Sequence, residues 1–334
     1  MTAPKIAVVI PSYRVTEHVL GVIGAIGPEC ALIFVVDDCC PDSSGKLVES
    51  QVKDPRVSVL FHAKNRGVGA AVMTGYRAAL KAGADIIVKI DGDGQMDPRL
   101  LPRFVSPLIR GDADYTKGNR FYSIYNVRKM PRIRLFGNAG LSFLTKLSSG
   151  YWSIFDPTNG YTAVHAAALN RLEFKNISER YFFESDMLVN LGGIRAVALD
   201  IPMEAAYGDE VSGLKIGNVL FEFLLKHLRE TFKRIFYSYF LRDFNIASLN
   251  LAFGIPLVLF GIIFGSTQWW HSISTEIPAS SGTVILATLP IILGFQLLLS
   301  FITFDISNEP SIPLQRVSDP GSGMEPSAAA QSAS

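Results

Sequence analysis

The sequence of 334 residues is poor in cysteine and in charge. Its three cysteines, Cys30, Cys39 and Cys40, show no Cys-x-x-Cys spacing, so neither a disulfide framework nor a zinc site is indicated and a reducing compartment is expected. Lys and Arg (31) nearly balance Asp and Glu (30), which gives no sign of a nucleic-acid partner. Charged residues make up only 18%, against about 25% in soluble proteins, so part of the chain is predicted to avoid water. The first residues run directly into a short apolar segment, and no secretory signal is predicted.

Two long uncharged windows, Phe244–Trp270 and Ile277–Phe304, account for the excess of apolar residues. Each contains about 20 mostly apolar positions, the length that crosses a bilayer core. We predict transmembrane helices at about 246–265 and 283–304, within a membrane segment 244–305. A buried hairpin of a soluble core is less favoured, because two such spans in succession leave no polar face for water.

The residues that flank these windows predict the orientation. Residues 266–282, between the two windows, contain no Lys or Arg. Five basic residues lie before the first window: Lys226, Arg229, Lys233, Arg234 and Arg242. The positive-inside rule therefore places the N-terminal domain and both termini in the cytoplasm. Residues 216–243 combine a basic face with Phe and Leu and are predicted to form amphipathic juxtamembrane helices, with a core-packed helix as the alternative. Residues 306–334 are rich in Ser, Pro and Ala and are predicted to be a disordered tail.

Within a predicted N-terminal domain of residues 1–215, residues 5–90 alternate short Val/Ile-rich runs with helix-permitting stretches. This pattern predicts an α/β domain with a mostly parallel sheet covered on both faces. The strands are predicted at 6–10, 31–36, 57–61 and 86–90, and the helices between them at 17–26, 44–51 and 67–82. Polar residues follow each strand, and ligands of such sheets bind beyond the carboxyl ends of the strands. A binding site is therefore expected there.

The segment after the fourth strand carries the most specific chemistry. Gly67-Val-Gly69 lacks the third glycine of a dinucleotide fingerprint, and the chain has no phosphate loop or zinc-protease motif. In Asp91-Gly92-Asp93, two carboxylates flank a glycine that lets the backbone turn, and Gln95 adds a further oxygen. Magnesium prefers such hard donors and shares its coordination with water and phosphate oxygens.

A basic segment follows this candidate metal site. No acid occurs between Asp114 and Asp156, and the stretch holds seven basic residues: Lys117, Arg120, Arg128, Lys129, Arg132, Arg134 and Lys146. Arginine forks bind phosphate, so a pyrophosphate or a lipid phosphate is favoured as ligand. A solvated basic face, or attraction to anionic lipid headgroups, remains an alternative.

Six segments of the chain together resemble glycosyltransferase family two, and within it the polyisoprenyl-phosphate hexose synthases, the group that contains dolichol-phosphate mannose synthase. They are IAVVIPSY at 6–13, FVVDDCCPD at 34–42, HAKNRGVG at 62–69, IDGDGQMDP at 90–98, DPTNGY at 156–161 and YFFESDML at 181–188. The resemblance covers about residues 1–245, and the two following spans match membrane-anchored bacterial members.

This resemblance implies a GT-A fold, a nucleotide-sugar donor, a divalent metal (Mg²⁺ or Mn²⁺) and inverting transfer of a hexose to a polyprenyl phosphate. It implies that the nucleotide sugar is bound by Pro11, Tyr13, Val36, Asp38, Asp91, Gly92, Gln95 and Lys215. It implies metal ligands at Asp91, Asp93 and Gln95, and an acceptor-phosphate site at Arg120, Arg134 and Ser212. Catalytic roles are expected for Asp93, Asp156, Arg120 and Arg134.

The chain also departs from the family pattern. Asp37-Asp38-Cys39-Cys40 replaces the usual Asp-Asp-Gly-Ser, and Val15 stands where an acid is frequent. Both positions bear on the nucleoside, so UDP and GDP both stay open. Family members with sugar or protein acceptors use a carboxylate base, for which Asp156 or the Glu184/Asp186 pair are the candidates, with helix capping as the alternative for the pair.

Two other functions are considered. A processive polysaccharide synthase would share the metal motif but should carry Gln-x-x-Arg-Trp, and none of the three tryptophans follows an arginine. A non-enzymatic membrane protein that binds nucleotide or lipid would not need Asp91 and Asp93 together. The sugar and the isoprenoid length stay open, and so does homo-oligomerisation.

Overall fold

The computed structural model describes residues 3–122, 132–204 and 216–317, without the side chains of 132–134 and 216–220. The chain divides into two compact units. The sheet unit comprises Met1–Leu228 and Pro310–Ser334, and the hairpin unit comprises Arg229–Glu309. Each unit is described in turn.

One mixed sheet forms the centre of the sheet unit. In the described residues it has seven strands in the order β3-β2-β1-β4-β6-β5-β7. The strands are β1 (Ile6–Ser12), β2 (Cys30–Asp37), β3 (Val57–Phe61), β4 (Ile86–Lys89), β5 (Tyr115–Asn119), β6 (Thr162–His165) and β7 (Ala198–Pro202). All pairs are parallel except those of β6, which runs antiparallel to β4 and β5. The prediction of a mostly parallel α/β sheet is confirmed.

Helices cover both faces of this sheet. Those of the sheet unit before residue 200 are α1 (Val19–Gly24), α2 (Ser44–Gln51), α3 (Val68–Lys81), α4 (Leu101–Ile109), α5 (Arg132–Ser149), α6 (Ala166–Leu169) and α7 (Phe183–Gly193). Successive side chains of a strand point to opposite faces, so β1 sends Ala7 and Val9 into one buried cluster and Val8 and Ile10 into another. Burial on both faces explains why the strands read as continuous apolar runs.

The predicted boundaries in the first 90 residues are close to those of the structure. The strand at 57–61 and the helix at 44–51 match exactly, and β1, β2 and β4 differ by one or two residues at an end. The first helix is shorter than predicted, because α1 begins at Val19.

The segment after the membrane-type helices returns to the sheet unit. Helix α11 (Leu314–Val317) buries Leu314 against one of the two core clusters. The backbone N–H groups of Leu314 and Gln315 donate to the carboxylate of Asp114 at 2.9 and 3.3 Å. Asp114 is fully buried, and a buried carboxylate needs such donors. The prediction of a disordered tail is therefore wrong for residues 306–317, while 318–334 lie outside the described residues.

The hairpin unit contains two long helices, α9 (Ile246–Thr275) and α10 (Ser281–Ser307), both long and apolar enough to cross a membrane. They extend beyond the predicted spans, so the connection is 276–280 instead of 266–282. Neither extension contains a proline that would end the helix. Helix α10 begins at an N-cap, Ser280, whose side chain accepts the Thr283 N–H. Small residues allow close packing, since a Cβ at Gly261 would collide with Ile291.

Helix α8 (Ile216–Phe236) precedes the hairpin and is followed by a π-helical turn, Tyr237–Arg242. The division between the two units falls within α8. In the hairpin unit, Arg234 binds Asp305 through two hydrogen bonds of 2.7 and 2.9 Å, and the Tyr239 hydroxyl donates to the same carboxylate. Asp305 is only 3% exposed, so its charge is neutralised locally. This cluster joins the end of α8 to the end of α10.

Candidate active site

A cavity of about 1040 Å³ opens in the sheet unit beyond the carboxyl ends of β1, β2 and β4. One side, the strand-end wall, is formed by Pro11–Val15, Asp38 and Asp91–Asp93. A second part of the lining, the helical wall, is formed by Gly137, Asn138 and Leu141 of α5, by Tyr181 just before α7 and by Glu184 and Ser185 of α7. Asn65, Gly67, Val68, Ala71, Pro157, Thr158, Arg180 and Phe223 complete the lining. The position is the one expected for a ligand site of a parallel sheet.

The two adjacent carboxylates after β2 have different tasks. Asp37 accepts the N–H groups of Cys40 and Gly45 at 2.7 and 2.6 Å, so it stabilises its own turn. Asp38 lies on the cavity wall and is itself fixed by the loop after β3. Its carboxylate accepts the N–H groups of Arg66 and Gly67 at 2.9 and 2.7 Å.

The loop after β3 is shaped to hold Asp38. His62 contacts Asp38 through Nδ1 at 2.7 Å and Thr74 through Nε2 at 2.9 Å, which makes it a strand-end structural residue. Gly67 has a φ of +104°, a conformation that other residues rarely adopt, and it precedes α3. Asn65 Nδ2 also donates to the Asp38 carbonyl at 3.3 Å, so side-chain and backbone contacts together hold the loop against Asp38.

Asp91, Gly92 and Asp93 all line the cavity, on its strand-end wall. The backbone N–H of Gln95 donates to Asp93 Oδ1 at 3.0 Å, which fixes the turn, while the Gln95 side chain is not part of the cavity lining. Two carboxylates that line the cavity fit a divalent cation that completes its coordination with phosphate oxygens and water. In the described parts of the chain, no group of three or more His, Cys, Asp and Glu residues is arranged to hold a metal.

A buried lysine behind this motif was not predicted. Lys89, 1% exposed, contacts Asp91 Oδ1 at 2.8 Å and Glu184 Oε1 at 3.1 Å, so it links the strand-end wall to the helical wall. Burial alone would lower the pKa of Lys89, but the two carboxylates outweigh it and raise the pKa above its usual value. A Cβ at Gly160 would collide with Lys89 Nζ and Asp91 Oδ2, so a larger residue there would displace the ends of these two side chains. A charge inside a Val/Ile strand was the available sequence signal.

The two acids at the start of α7, Glu184 and Asp186, make different contacts. Asp186 accepts the N–H and the hydroxyl of Ser178 at 2.7 and 2.8 Å, which anchors the preceding loop. Glu184 instead lines the cavity and contacts Lys89. Asp186 therefore anchors a loop while Glu184 belongs to the cavity, and the N-cap residue of α7, Phe182, makes no side-chain cap hydrogen bond.

Arg120 and Asp156, predicted as separate catalytic groups, bind each other. Arg120 Nε and Nη2 donate to the two oxygens of Asp156 at 2.7 and 2.9 Å. Asp156 is fully buried, and neither residue is in the cavity lining. Arg120 Nη2 also donates to Thr158 Oγ1 at 3.2 Å, and Thr158 does line the cavity. The pair therefore lies directly behind the cavity wall.

The other predicted site residues are distributed as follows. Pro11 and Tyr13 lie on the strand-end wall, whereas Val36 is fully buried in the core. The side chain of Arg134, and all of Ser212 and Lys215, lie outside the described residues.

Lys117, assigned to a basic segment, is fully buried and donates to the Asn159 carbonyl, so a solvated basic face is wrong for this residue. Burial lowers the pKa of Lys117 to about 8.

Comparison with known proteins identifies the relatives of the chain. The family model described as Glycosyl transferase family 2 matches residues 8–173. Polyprenol monophosphomannose synthase of Mycolicibacterium smegmatis is 31% identical over 185 residues, which cover 54% of this chain and 69% of that protein. UDP-N-acetylglucosamine–dolichyl-phosphate N-acetylglucosaminyltransferase of Methanococcus voltae is 28% identical, with 67% of this chain and 94% of that protein covered. Undecaprenyl-phosphate mannosyltransferase of Micrococcus luteus is 28% identical, with 60% and 82% covered.

Among solved structures, the chain is similar to glucosyl-3-phosphoglycerate synthase of Mycobacterium tuberculosis in complex with Mn²⁺, UDP and phosphoglyceric acid. The TM-score is 0.52 at 17% identity, and the match covers 69% of this chain and 78% of the other. At this identity the likeness concerns the fold, which confirms the predicted GT-A-like architecture.

Proposed function

Because the chain belongs to glycosyl transferase family 2, we propose that it transfers a hexose from a UDP- or GDP-linked sugar to a polyprenyl phosphate at a membrane. The observation that carries the proposal is the position of Asp91, Gly92 and Asp93 on the wall of a cavity of about 1040 Å³. That volume suits a nucleotide sugar, since ligand pockets measure about 300–1000 Å³.

The relatives support the acceptor class. Three of them are named for transfer to, or synthesis on, dolichyl, polyprenol or undecaprenyl phosphates. They are named for different sugars, N-acetylglucosamine and mannose, so they support the lipid acceptor more than any one donor.

The strand-end wall would bind the donor. Pro11, Tyr13 and Asp38 would hold the nucleoside, and Asp91 and Asp93, with Gln95 nearby, would hold Mg²⁺ or Mn²⁺. The metal, when bound, neutralises charge on the diphosphate. The Asp38 carboxylate needs no reorganisation to bind a donor group, because the loop at Arg66 and Gly67 already fixes its orientation.

The transfer step needs little proton chemistry. An oxygen of the lipid phosphate forms a bond to the anomeric carbon while the bond from that carbon to the diphosphate oxygen breaks. The configuration at the anomeric carbon inverts, and the nucleoside diphosphate leaves with the electron pair. A phosphate monoester has a second pKa of about 6, so the attacking group is already mostly deprotonated at pH 7. Asp156 would then act by orienting Arg120, in agreement with their mutual hydrogen bonds, and not as a base.

The hairpin unit would anchor the enzyme. Its two long apolar helices, together with relatives that act on polyprenyl phosphates, indicate a membrane-associated protein. We propose that α9 and α10 span the bilayer and that the sheet unit is cytoplasmic, as the basic residues of α8 suggest. Phe221, Leu225 and Phe232 of α8 are 63%, 51% and 73% exposed, which fits a helix lying in the membrane interface.

A donor screen tests this function. Membranes containing the full chain are given radiolabelled UDP-glucose, UDP-N-acetylglucosamine or GDP-mannose with undecaprenyl or dolichyl phosphate, and lipid products are extracted into organic solvent. We expect label in the lipid phase with Mg²⁺ or Mn²⁺, and its loss with EDTA. Label in an insoluble polymer would identify a processive synthase instead. Nucleotide binding without transfer of any donor would contradict the proposal.

A further inference from the structure

Asp200 lies behind the cavity, in a position to connect two segments of the candidate active site. It belongs to β7 and is paired in register with Lys117 of β5. Its Oδ2 atom accepts two hydrogen bonds, one from Asn119 Nδ2 at 2.7 Å and one from the backbone N–H of Phe155 at 3.1 Å. A single carboxylate oxygen therefore binds two chain segments that are 36 residues apart in sequence.

These two segments carry the Arg120–Asp156 pair. Asn119 directly precedes Arg120, and Phe155 directly precedes Asp156. Asn119 also accepts the Phe121 N–H at 2.8 Å through Oδ1, which fixes the turn on which Arg120 lies. The rings of Phe121 and Phe155 meet edge to face with centroids 5.3 Å apart. Asp200 thus fixes the backbone on both sides of the ion pair.

The same contacts extend to the cavity wall. Beyond Asp156 the chain continues into Pro157 and Thr158, which line the cavity, and Thr158 receives a hydrogen bond from Arg120. A shift of residues 155–158 would therefore change the ion pair and the wall together. A misplacement of about 1 Å remote from the reacting atoms can lower a rate about 10²-fold.

Burying the negative charge of Asp200 does not stabilise the fold. Its Oδ1 atom is buried and has no hydrogen-bond partner among the described residues. Burial raises the pKa of Asp200 to about 6, although the nearby Lys117 opposes this effect. The two N–H groups that contact Asp200 both reach the same oxygen, so an asparagine amide oxygen could accept both.

We propose that Asp200 is a positioning residue that holds Arg120 and Asp156 in the geometry required for sugar transfer. This proposal rests on the proposed function, because it assigns Asp200 to the acceptor-phosphate side of that reaction. Asp200 contacts neither the cavity nor the Asp91–Asp93 motif, so its effect passes through Arg120, Asp156 and Thr158.

The test compares Asp200→Ala with Asp200→Asn in the full chain. Asp200→Ala removes both hydrogen bonds, and we expect kcat/KM for the polyprenyl phosphate to fall about 10-fold or more. Binding of the nucleoside diphosphate should change less than about twofold, because the strand-end wall is untouched. Asp200→Asn keeps an acceptor oxygen and should restore transfer to within about threefold of the wild type. Glu173→Ala, at an exposed ion pair with Lys175, is the control and should have no effect.

A second measurement does not depend on activity. Hydrogen–deuterium exchange of the full chain should become faster in peptides covering residues 119–121 and 155–158 in Asp200→Ala, and should stay at the wild-type rate in Asp200→Asn. If Asp200→Ala does not fold, Asn119→Ala removes the hydrogen bond between Asn119 and Asp200 instead, and it should speed up exchange in the same peptides.

The outcomes separate the two proposals. Failure of the wild type to transfer any sugar would overturn the proposed function, whereas the exchange data would still decide the role of Asp200. Equal loss of transfer in Asp200→Ala and Asp200→Asn, full activity of Asp200→Ala, or unchanged exchange at 119–121 and 155–158 would each overturn the positioning role.

Discussion

The two walls of the cavity are held in different ways. The strand-end wall follows directly from β1, β2 and β4, whose backbones are fixed by the ladder of a parallel sheet. The helical wall consists of residues on α5 and α7, together with Tyr181 just before α7, and these residues reach the cavity through packing of helices. A wall fixed by backbone suits groups that every donor shares, the nucleoside diphosphate and its metal. A wall made of side chains on helices can change from protein to protein, and we infer that it selects the sugar and the acceptor.

The largest effect is expected on the strand-end wall, at Asp93. Asp93→Ala removes one of the two carboxylates placed to hold the metal and the leaving diphosphate. Loss of a group that stabilises charge in the transition state lowers kcat by about 10²–10³-fold. Initial rates of lipid-linked product formation at saturating Mg²⁺ measure this.

Asp97 provides the matched control in the same loop. It caps the short 3-10 helix Pro98–Leu100, binds the exposed Arg99 and is not part of the cavity lining. Asp97→Ala should keep most of the activity. Equal loss in both variants would mean that the loop conformation, and not the Asp93 carboxylate, is what matters.

The second effect concerns the link between the walls. Lys89→Met leaves the carboxylates of Asp91 and Glu184 without their buried cation. Breaking a buried pair in this way costs about 3–5 kcal/mol of stability. Proteolysis of the folded full chain in increasing denaturant measures the change. Lys81→Met, at the exposed end of α3, is the control and should be neutral. A variant at position 89 as stable as the wild type would show that the two walls are independent.

A smaller effect is expected on the helical wall at Glu184. Glu184→Gln preserves size but removes the charge, and hydrogen bonds to charged groups contribute about 1.5–3 kcal/mol. We expect kcat/KM to fall about 10-fold or more, with a changed ratio between competing donor sugars. Glu179→Gln, at an exposed pair with Arg66, is the control. An unchanged donor ratio would argue against sugar selection by this wall.

The smallest effect is expected at Tyr181, which lines the cavity but is 65% exposed. Loss of one aromatic contact is worth about 0.5–1.5 kcal/mol, so Tyr181→Ala should raise the KM for the lipid acceptor about threefold to tenfold and leave the donor KM unchanged. Tyr122→Ala removes a tyrosine that is 71% exposed and outside the cavity lining, and should have no effect. If Tyr181→Ala raises the KM for the donor instead, Tyr181 contacts the nucleotide sugar and not the lipid acceptor.

The difference between the walls also explains what could be predicted from sequence. Asp38, Asp91 and Asp93 were predicted because Asp38 follows β2 and the other two follow β4, and the direction of a parallel strand fixes where its end lies. The linking role of Lys89 could not be predicted, since its partner Glu184 lies 95 positions away on α7. For the same reason the pairing of Arg120 with Asp156 was not foreseen, although both residues had been singled out.

Buried polar contacts account for two further errors. Lys117 was assigned to a basic segment because sequence shows charge but not burial. The tail after residue 305 looks disordered by composition, yet Leu314 and Gln315 supply donors to Asp114, a partner about 200 positions earlier. In each case one buried charge sets the local structure through a distant segment, and periodicity does not show such contacts.

The most direct test of the account locates the metal. Crystals of the full chain grown with Mn²⁺ and a nucleoside diphosphate, measured at the manganese absorption edge, would show the ion by its anomalous signal. We predict a peak within about 2–2.5 Å of carboxylate oxygens of Asp91 or Asp93, with the diphosphate in the cavity between the two walls. A manganese peak elsewhere, or a diphosphate bound outside this cavity, would contradict the central claim.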